Sequence, residues 1–181
     1  MVEPDDIGLM QRVRDADDKS AFDTLYRKHA GPLFGYFWRS TSSREASEEL
    51  VQETFFKIYR LRAGYTARAS FKTYLYTVAR SVLINRWVSD ARVRAAAQDG
   101  ADPEAEPSHS DTEADVSSRQ IVSRVASAIG SLPERQKSAV LLVRYEGLAY
   151  EEAARVLGVS VKAMKSLLNR AREQLVAQVM P

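Results

Sequence analysis

A central stretch of the chain repeats its apolar residues every three or four positions, which is the spacing of one helix face. Charged and amide side chains fill the other faces. Ser43 stands before the stretch, where its hydroxyl can cap a helix, and Glu45 follows in the first turn, where negative charge is favoured. The pattern predicts a helix over 43–61. The positions of the repeating face are Leu50, Val51, Thr54, Ile58 and Leu61.

Two other helices are indicated in the same N-terminal half. One is marked by apolar residues between Ala21 and Leu33, and the other spans Phe71 to Arg94. A polar loop with one aromatic residue, from Gly64 to Ser70, precedes the latter helix. Strands are not indicated, because no segment alternates apolar and polar residues convincingly.

The C-terminal half has clearer helix boundaries. Pro133 suits a helix first turn, and this helix should end before Gly147. A short helix is predicted from Tyr150 to Leu157, followed by the turn 158–160, in which glycine can adopt positive φ and serine can cap. The last helix begins at Val161. Its inward stripe consists of Val161, Met164, Leu168, Ala171 and Leu175.

Between the two halves lies a segment rich in acidic residues, serine and proline. No Lys or Arg occurs from Ala95 to Ser118, although the segment holds seven acidic residues, so the rest of the chain is more basic than the total charge of +2 suggests. Its scarcity of large apolar residues predicts a flexible linker. The predicted fold is therefore all-α, with an N-terminal domain over 1–96, a linker over 97–118 and a C-terminal domain over 119–181.

Composition argues against several classes of function. The chain has no cysteine, and its two histidines are far apart in sequence, so no metal site is expected. Neither a nucleophile–base pair nor a phosphate-binding glycine loop is present, and we predict neither a cofactor nor enzymatic activity. No apolar run approaches the ~20 residues that span a bilayer, and the N-terminus lacks a secretory apolar region, which predicts a cytoplasmic protein without membrane insertion.

The two last helices and their turn form a predicted helix-turn-helix with a basic, polar outer face. A helix of this kind fits the DNA major groove, where Lys and Arg contact phosphates and guanine and Asn can pair with adenine. The alternative is a helical hairpin whose charged face is only solvated. The candidate DNA-contacting residues are Lys162, Lys165, Ser166, Asn169, Arg170 and Arg172.

Three segments, in order, resemble parts of the extracytoplasmic-function (ECF) sigma factors, a family of bacterial transcription initiation factors. Residues 132–175 (LPERQKSAVLLVRYEGLAYEEAARVLGVSVKAMKSLLNRAREQL) resemble the domain that reads the minus-thirty-five promoter element. Residues 43–61 (SREASEELVQETFFKIYRL) resemble the polymerase-binding helix, and residues 71–87 (FKTYLYTVARSVLINRW) resemble the promoter-melting segment. The resemblance implies that the chain binds core RNA polymerase and directs it to specific promoters.

The same resemblance assigns roles to residues of the first domain. The core-binding residues would be Glu49, Gln52, Glu53 and Phe55. Because Phe55 and Phe56 are adjacent, they cannot both enter one narrow core, and at least one should serve an interface or a second packing surface. Single-stranded DNA of the minus-ten element would be bound by aromatic, polar and basic residues. These are Tyr65, Arg68, Ser70, Lys72, Thr73, Tyr74, Arg80, Asn85 and Arg86.

Several positions depart from the usual pattern of the family. Tyr74 stands where Trp is often found, Ser81 where Asn is frequent and Asn85 where Asp is frequent, which leaves the minus-ten base preference open. Ala149 replaces the Ser that commonly caps the first helix of the helix-turn-helix. The family also permits an anti-sigma protein as a partner. The alternative function is a stand-alone regulator with the same helix-turn-helix and an N-terminal sensor or dimerisation domain.

Overall fold

The computed structural model describes residues 5–97 and 116–179, and within these ranges all regular structure is helical. This confirms the predicted all-α fold class. Most of the predicted linker, 98–115, lies outside the described residues. The helices are α1 (Asp6–Ala16), α2 (Lys19–Thr41), α3 (Arg44–Arg60), α4 (Phe71–Ala97), α5 (Val116–Ser131), α6 (Glu134–Val140), α7 (Tyr150–Leu157) and α8 (Val161–Val179).

The N-terminal body is built from α1 to α4 around α2, which packs against both α1 and α3. Side-chain caps begin two of these helices. Asp18 accepts a hydrogen bond from the Ala21 backbone N–H at 3.0 Å, and Ser43 accepts one from Ala46 at 3.3 Å. A cap of this kind satisfies a backbone donor at the helix start and stabilises it by about 1 kcal/mol. The Ser43 cap confirms where the sequence placed the start of α3.

Helix α1 was not predicted. It buries three side chains, Leu9, Met10 and Val13, against the rest of the body. Its first residue, Asp6, also holds α2, because the carboxylate accepts from Lys28 and lies 2.8 Å from Nε2 of the buried His29. A helix with so few core residues gives a weak periodic signal in the sequence. Its hydrogen bond from Asp6 to His29 joins residues more than twenty positions apart, which local spacing does not reveal.

The C-terminal body is built from α5 to α8, with α8 packed on all three of the others. The helix predicted from Pro133 to Tyr145 is regular only to Val140, after which the backbone widens into one π-helical turn over Leu141–Tyr145. The chain then turns at Gly147, whose φ is +67°. Widened turns of this kind bulge the backbone, and here the bulge presents Tyr145 and Glu146 beside the N-terminal body.

The helix-turn-helix has the predicted form. Gly158 adopts φ +65°, and the Ser160 hydroxyl accepts from the Ala163 backbone N–H at 3.1 Å, so both predictions for the turn are confirmed. Ala149 offers no side-chain cap to α7. Instead, the carboxylate of Glu152 accepts from the backbone N–H of Ala149 at 3.2 Å.

The two bodies contact each other directly. Helix α4 packs against α7, and α2 packs against α5. Both flanking helices extend into the predicted linker, since α4 reaches Ala97 and α5 begins at Val116. No helix in the part of the chain that the structure describes is both long and apolar enough to cross a membrane.

Candidate functional site

The outer surface of α3 carries the predicted core-binding residues, with one correction. Glu49, Gln52 and Glu53 are exposed, but Phe55 is only 3% exposed and cannot serve as a surface anchor. Its ring packs edge-on against Phe22, with the centroids 6.0 Å apart. Phe55 is therefore a core residue, and its assignment as a docking aromatic is replaced.

The exposed aromatic of α3 is Phe56, at 61%. The guanidinium of Arg60 lies 5.7 Å from its ring centroid, and Leu61, which follows Arg60 in the sequence, is also exposed. A signal in the sequence could have found it. Four residues earlier, Val51 is apolar and Gln52 is polar, so the phase of the helix points Phe55 inward and Phe56 outward. We call the surface formed by Glu49, Gln52, Glu53 and Phe56 the α3 face.

The loop before α4 places its aromatic residue inside the body. Tyr65 is 3% exposed, its ring centroid lies 5.0 Å from that of the partly buried Tyr74, and its carbonyl accepts from Arg14 at 3.1 Å. Burial among helices explains why the predicted stacking of a DNA base on Tyr65 is not available in this conformation. Arg68, in the same loop, is exposed.

The start of α4 combines hydroxyl and basic side chains. The Ser70 hydroxyl accepts from the Thr73 backbone N–H at 3.2 Å and so caps the helix. Thr73 is itself buried, which corrects its expected exposure to DNA. We call the surface formed by Ser70, Lys72, Thr73 and Arg80 the α4 face. It was predicted to bind DNA, but in this conformation it contacts the C-terminal body.

Glu152 of α7 accepts hydrogen bonds from the first residues of the α4 face. Its Oε1 accepts from the Ser70 hydroxyl at 2.6 Å and from the Thr73 hydroxyl at 2.9 Å. The hydrogen bond from Ser70 is the main cause that lowers the pKa of Glu152 below its usual range. A carboxylate that sequence reasoning passed over thus connects the two bodies.

Two further acidic residues continue this contact along α4. Lys72 donates to the backbone carbonyl of Glu146, and the hydroxyl of the buried Tyr76 donates to the Glu146 carboxylate. Burial raises the pKa of Glu146, although the hydrogen bond from Tyr76 opposes this shift. At the far end, Nη2 of Arg80 lies 3.3 Å from Oε1 of Glu134 in an ion pair.

The remaining minus-ten residues lie farther along α4. Asn85 is exposed. Arg86 forms ion pairs with Glu49 of α3 at 2.7 Å and with Asp90 at 3.2 Å. The hydrogen bond to Glu49 is the main cause that raises the pKa of Arg86 above its usual value. The predicted minus-ten residues therefore do not share one open surface: some are buried, some pair with the C-terminal body, and others face solvent.

The outer surface of α8 is open. Its stripe of inward residues packs against α5, α6 and α7, with Met164 and Ala171 fully buried. All six predicted side chains point outward and are exposed, and we call them the α8 face: Lys162, Lys165, Ser166, Asn169, Arg170 and Arg172. Four are cationic and the first acidic residue of the helix is Glu173, so the exposed side of α8 before Glu173 presents hydrogen-bond donors and positive charge.

Comparison with known proteins matches both bodies. A family described as Sigma-70 region 2 matches residues 25–93, and one described as Sigma-70, region 4 matches residues 123–175. The ECF RNA polymerase sigma-E factor of Haemophilus influenzae is 30% identical over 183 residues, which cover 97% of this chain and 96% of that protein. The RNA polymerase sigma-H factor of Pseudomonas aeruginosa is 29% identical over 188 residues, covering 100% and 97%.

Two solved structures share the fold. The sigma factor RpoE of Bartonella quintana, in complex with the anti-sigma factor NepR, superposes with a TM-score of 0.73 at 22% identity, covering 87% of this chain and 96% of that one. CnrH, in complex with the cytosolic domain of CnrY, superposes with a TM-score of 0.70 at 22% identity, covering 96% and 95%.

Proposed function

The chain belongs to the extracytoplasmic-function sigma factors, and from this premise we propose how its three faces divide the work of transcription initiation. As a sigma factor it binds core RNA polymerase and directs it to specific promoters, and it is not an enzyme. The prediction of a transcription initiation factor is confirmed, and a stand-alone regulator is not favoured.

The α3 face is proposed as the docking surface for core polymerase. Three exposed acidic and amide side chains lie on the same helix as an aromatic ring, Phe56, that is 61% exposed. A solvated polar rim around a large apolar anchor is the usual composition of a protein interface that binds tightly. The face carries two carboxylates, of which Glu49 is paired with Arg86 and Glu53 is exposed, and Glu53 suits a basic partner surface.

The α4 face, with the exposed residues Arg68 and Asn85, is proposed to bind the opened minus-ten strand, and the α8 face to read the minus-thirty-five element. The observation that carries the second assignment is that every predicted side chain of α8 is exposed while the opposite stripe is packed. The proposed domain limits remain 1–96 and 119–181. A cytoplasmic location is proposed because the family acts on RNA polymerase and promoter DNA. An anti-sigma protein is a proposed partner, since RpoE was solved with the anti-sigma factor NepR and CnrH with the cytosolic domain of CnrY.

Run-off transcription with core polymerase and a panel of promoters mutated at minus thirty-five tests the reading by α8. Lys165→Ala should change sequence preference by about 5- to 100-fold at individual bases, the value of one base contact. Arg170→Ala should weaken all promoters alike and lower the salt dependence by about one phosphate contact. Gln174→Ala, an exposed change on the same helix, is the control. Unchanged strength and preference with Lys165→Ala would remove the reading role from α8.

A further inference from the structure

Helix α1 contributes no residue to the three faces, yet it contacts the polar loop 64–70 that precedes α4. Near the end of α1, Nη1 of Arg14 donates a hydrogen bond to the carbonyl oxygen of Tyr65 at 3.1 Å. The two residues are 51 positions apart in the sequence. Arg14 therefore fixes the backbone at the beginning of the loop from a different helix.

The residue that follows α1 fixes the segment just before the loop. Oδ1 of Asp17 accepts from the Tyr59 hydroxyl at 2.6 Å and lies 3.0 Å from Nε of Arg62. The Arg62 guanidinium also lies 4.2 Å from the centroid of the Tyr59 ring. One carboxylate thus joins α1 to the last turn of α3 and to the 3₁₀ turn that leads into the loop.

The other end of the loop is held through α2. Oδ2 of Asp6, at the start of α1, lies 2.8 Å from Nε2 of His29. The His29 ring centroid lies 5.3 Å from that of Phe71, the buried first residue of α4. Residues 66–68, between the two held ends, are exposed. Contacts that begin in α1 therefore set the positions of both ends of the loop and leave its middle open.

The side chain of Tyr65 shows why the loop needs such contacts. Its ring is buried against Tyr74, but its hydroxyl has no hydrogen-bond partner among the described residues. A buried hydroxyl without a partner costs free energy, which disfavours this placement of Tyr65. The hydrogen bond from Arg14 to the backbone of the same residue opposes that cost. The shape of the loop thus depends on a contact from outside it.

We propose that Arg14 is a positioning residue for the minus-ten strand, and that Asp17 supports it. Arg14 acts through the backbone of the loop: it keeps the loop in the shape in which the exposed Arg68 and the start of α4 receive the strand. A loop that is ordered before binding loses less conformational entropy when its partner binds, so the affinity is higher. The inference rests on the proposed function of the α4 face and Arg68.

The test uses the complex with core polymerase and three changes at these two residues. Arg14→Ala removes the donor to Tyr65, and Arg14→Lys keeps a cationic donor at the same position. Asp17→Gly removes the carboxylate and tolerates the backbone there, since φ is +51° and glycine adopts positive φ readily. Arg12→Ala is the matched control, because it removes a guanidinium of the same helix that pairs with Asp18.

The probe is a fluorescent single-stranded oligonucleotide with the minus-ten sequence of a promoter that is active in run-off transcription. A strand of scrambled sequence measures binding through phosphates alone. Arg14→Ala and Asp17→Gly should weaken binding of the minus-ten strand by about 3- to 10-fold, the range for one hydrogen bond, because the receiving shape is populated less often. Binding of the scrambled strand should change less, and Arg14→Lys should recover part of the loss.

Two further measurements distinguish positioning from a general loss of structure. Hydrogen exchange of the backbone amides in 62–70 should be faster in Arg14→Ala than in Arg12→Ala, while exchange in α2 and α3 stays the same. Affinity for core polymerase should equal that of the natural chain, because the α3 face is unchanged. If Arg14→Ala weakens binding of core polymerase or of the scrambled strand as much as binding of the minus-ten strand, positioning is refuted.

Arg68→Ala separates this inference from the proposed function, because it removes a side chain assigned to the strand itself. If Arg68→Ala weakens binding of the minus-ten strand but Arg14→Ala behaves like Arg12→Ala, positioning by Arg14 is refuted and the proposed function stands. If neither Arg68→Ala nor Arg14→Ala changes the binding, the assignment of the loop to the minus-ten strand fails, and the inference fails with it.

Discussion

The two adjacent phenylalanines of α3 should separate protein stability from polymerase binding. Phe55 is 3% exposed and packs edge-on against Phe22 and Tyr26, with the centroid of Tyr26 at 4.8 Å. Phe56 is 61% exposed and contacts Arg60. Phe55→Ala should therefore empty part of the core, whereas Phe56→Ala should remove a ring that is mostly in water.

The expected magnitudes follow from these environments. Truncating a buried Phe costs about 3–5 kcal/mol of unfolding free energy, and the lost edge-on ring contacts belong to that cost. Truncating Phe56 should cost about 1 kcal/mol or less, because it gives up little burial and one exposed cation–π contact. If Phe56 is the anchor of the α3 face, however, its loss should cost about 2 kcal/mol or more of binding to core polymerase, which is roughly a 30-fold weaker affinity.

Urea unfolding followed by circular dichroism gives the first quantity, and fluorescence anisotropy with core polymerase and a dye on an introduced cysteine gives the second. Val176→Ala, which truncates an exposed apolar residue on α8, is the control for a general surface effect. The reasoning fails if Phe56→Ala binds core polymerase as tightly as the natural chain. It fails equally if Phe55→Ala leaves stability unchanged, since truncating a buried ring must remove core contacts.

Two further predictions concern stability. Gly158→Ala should cost about 1 kcal/mol of unfolding free energy in urea, because φ is +65° and a side chain is disfavoured there although space is available. Gly130→Ala in α5 should instead stabilise by up to about 1 kcal/mol, and a Gly158→Ala variant as stable as Gly130→Ala would contradict this reasoning. Burial opposes ionisation of Asp6, but hydrogen bonds from Lys28 and His29 outweigh it and lower its pKa, while burial lowers the pKa of His29. Both shifts disfavour protonation of the folded state, so the unfolding free energy should decrease as the pH is lowered. The first loss, through His29, should begin below about pH 6.5 and the second, through Asp6, below about pH 4. Asp6→Asn should remove the second loss in urea titrations across this range, and an unchanged acid dependence would refute the assignment.

Much of the fold could be predicted because its signals are local. The starts of α3 and α8 depend on capping serines, and that of α7 on apolar spacing within one or two turns. The structure places all three within one residue of the expected positions. Helix α1 has only three buried residues, and the π turn after Val140 has no distinct pattern of residues. Both depend on packing against distant parts of the chain, which a reading of local spacing does not contain.

The candidate faces divide in the same way. The α8 face could be predicted because the buried stripe of one helix fixes which side chains point outward. The α4 face could be located but its covering could not, since Ser70 and Glu152 are 82 residues apart and Arg80 and Glu134 are 54 apart. The correction from Phe55 to Phe56 is an intermediate case. The apolar Val51 and the polar Gln52, each four residues earlier, indicate that Phe55 points inward and Phe56 outward, but the resemblance to the family pointed to Phe55.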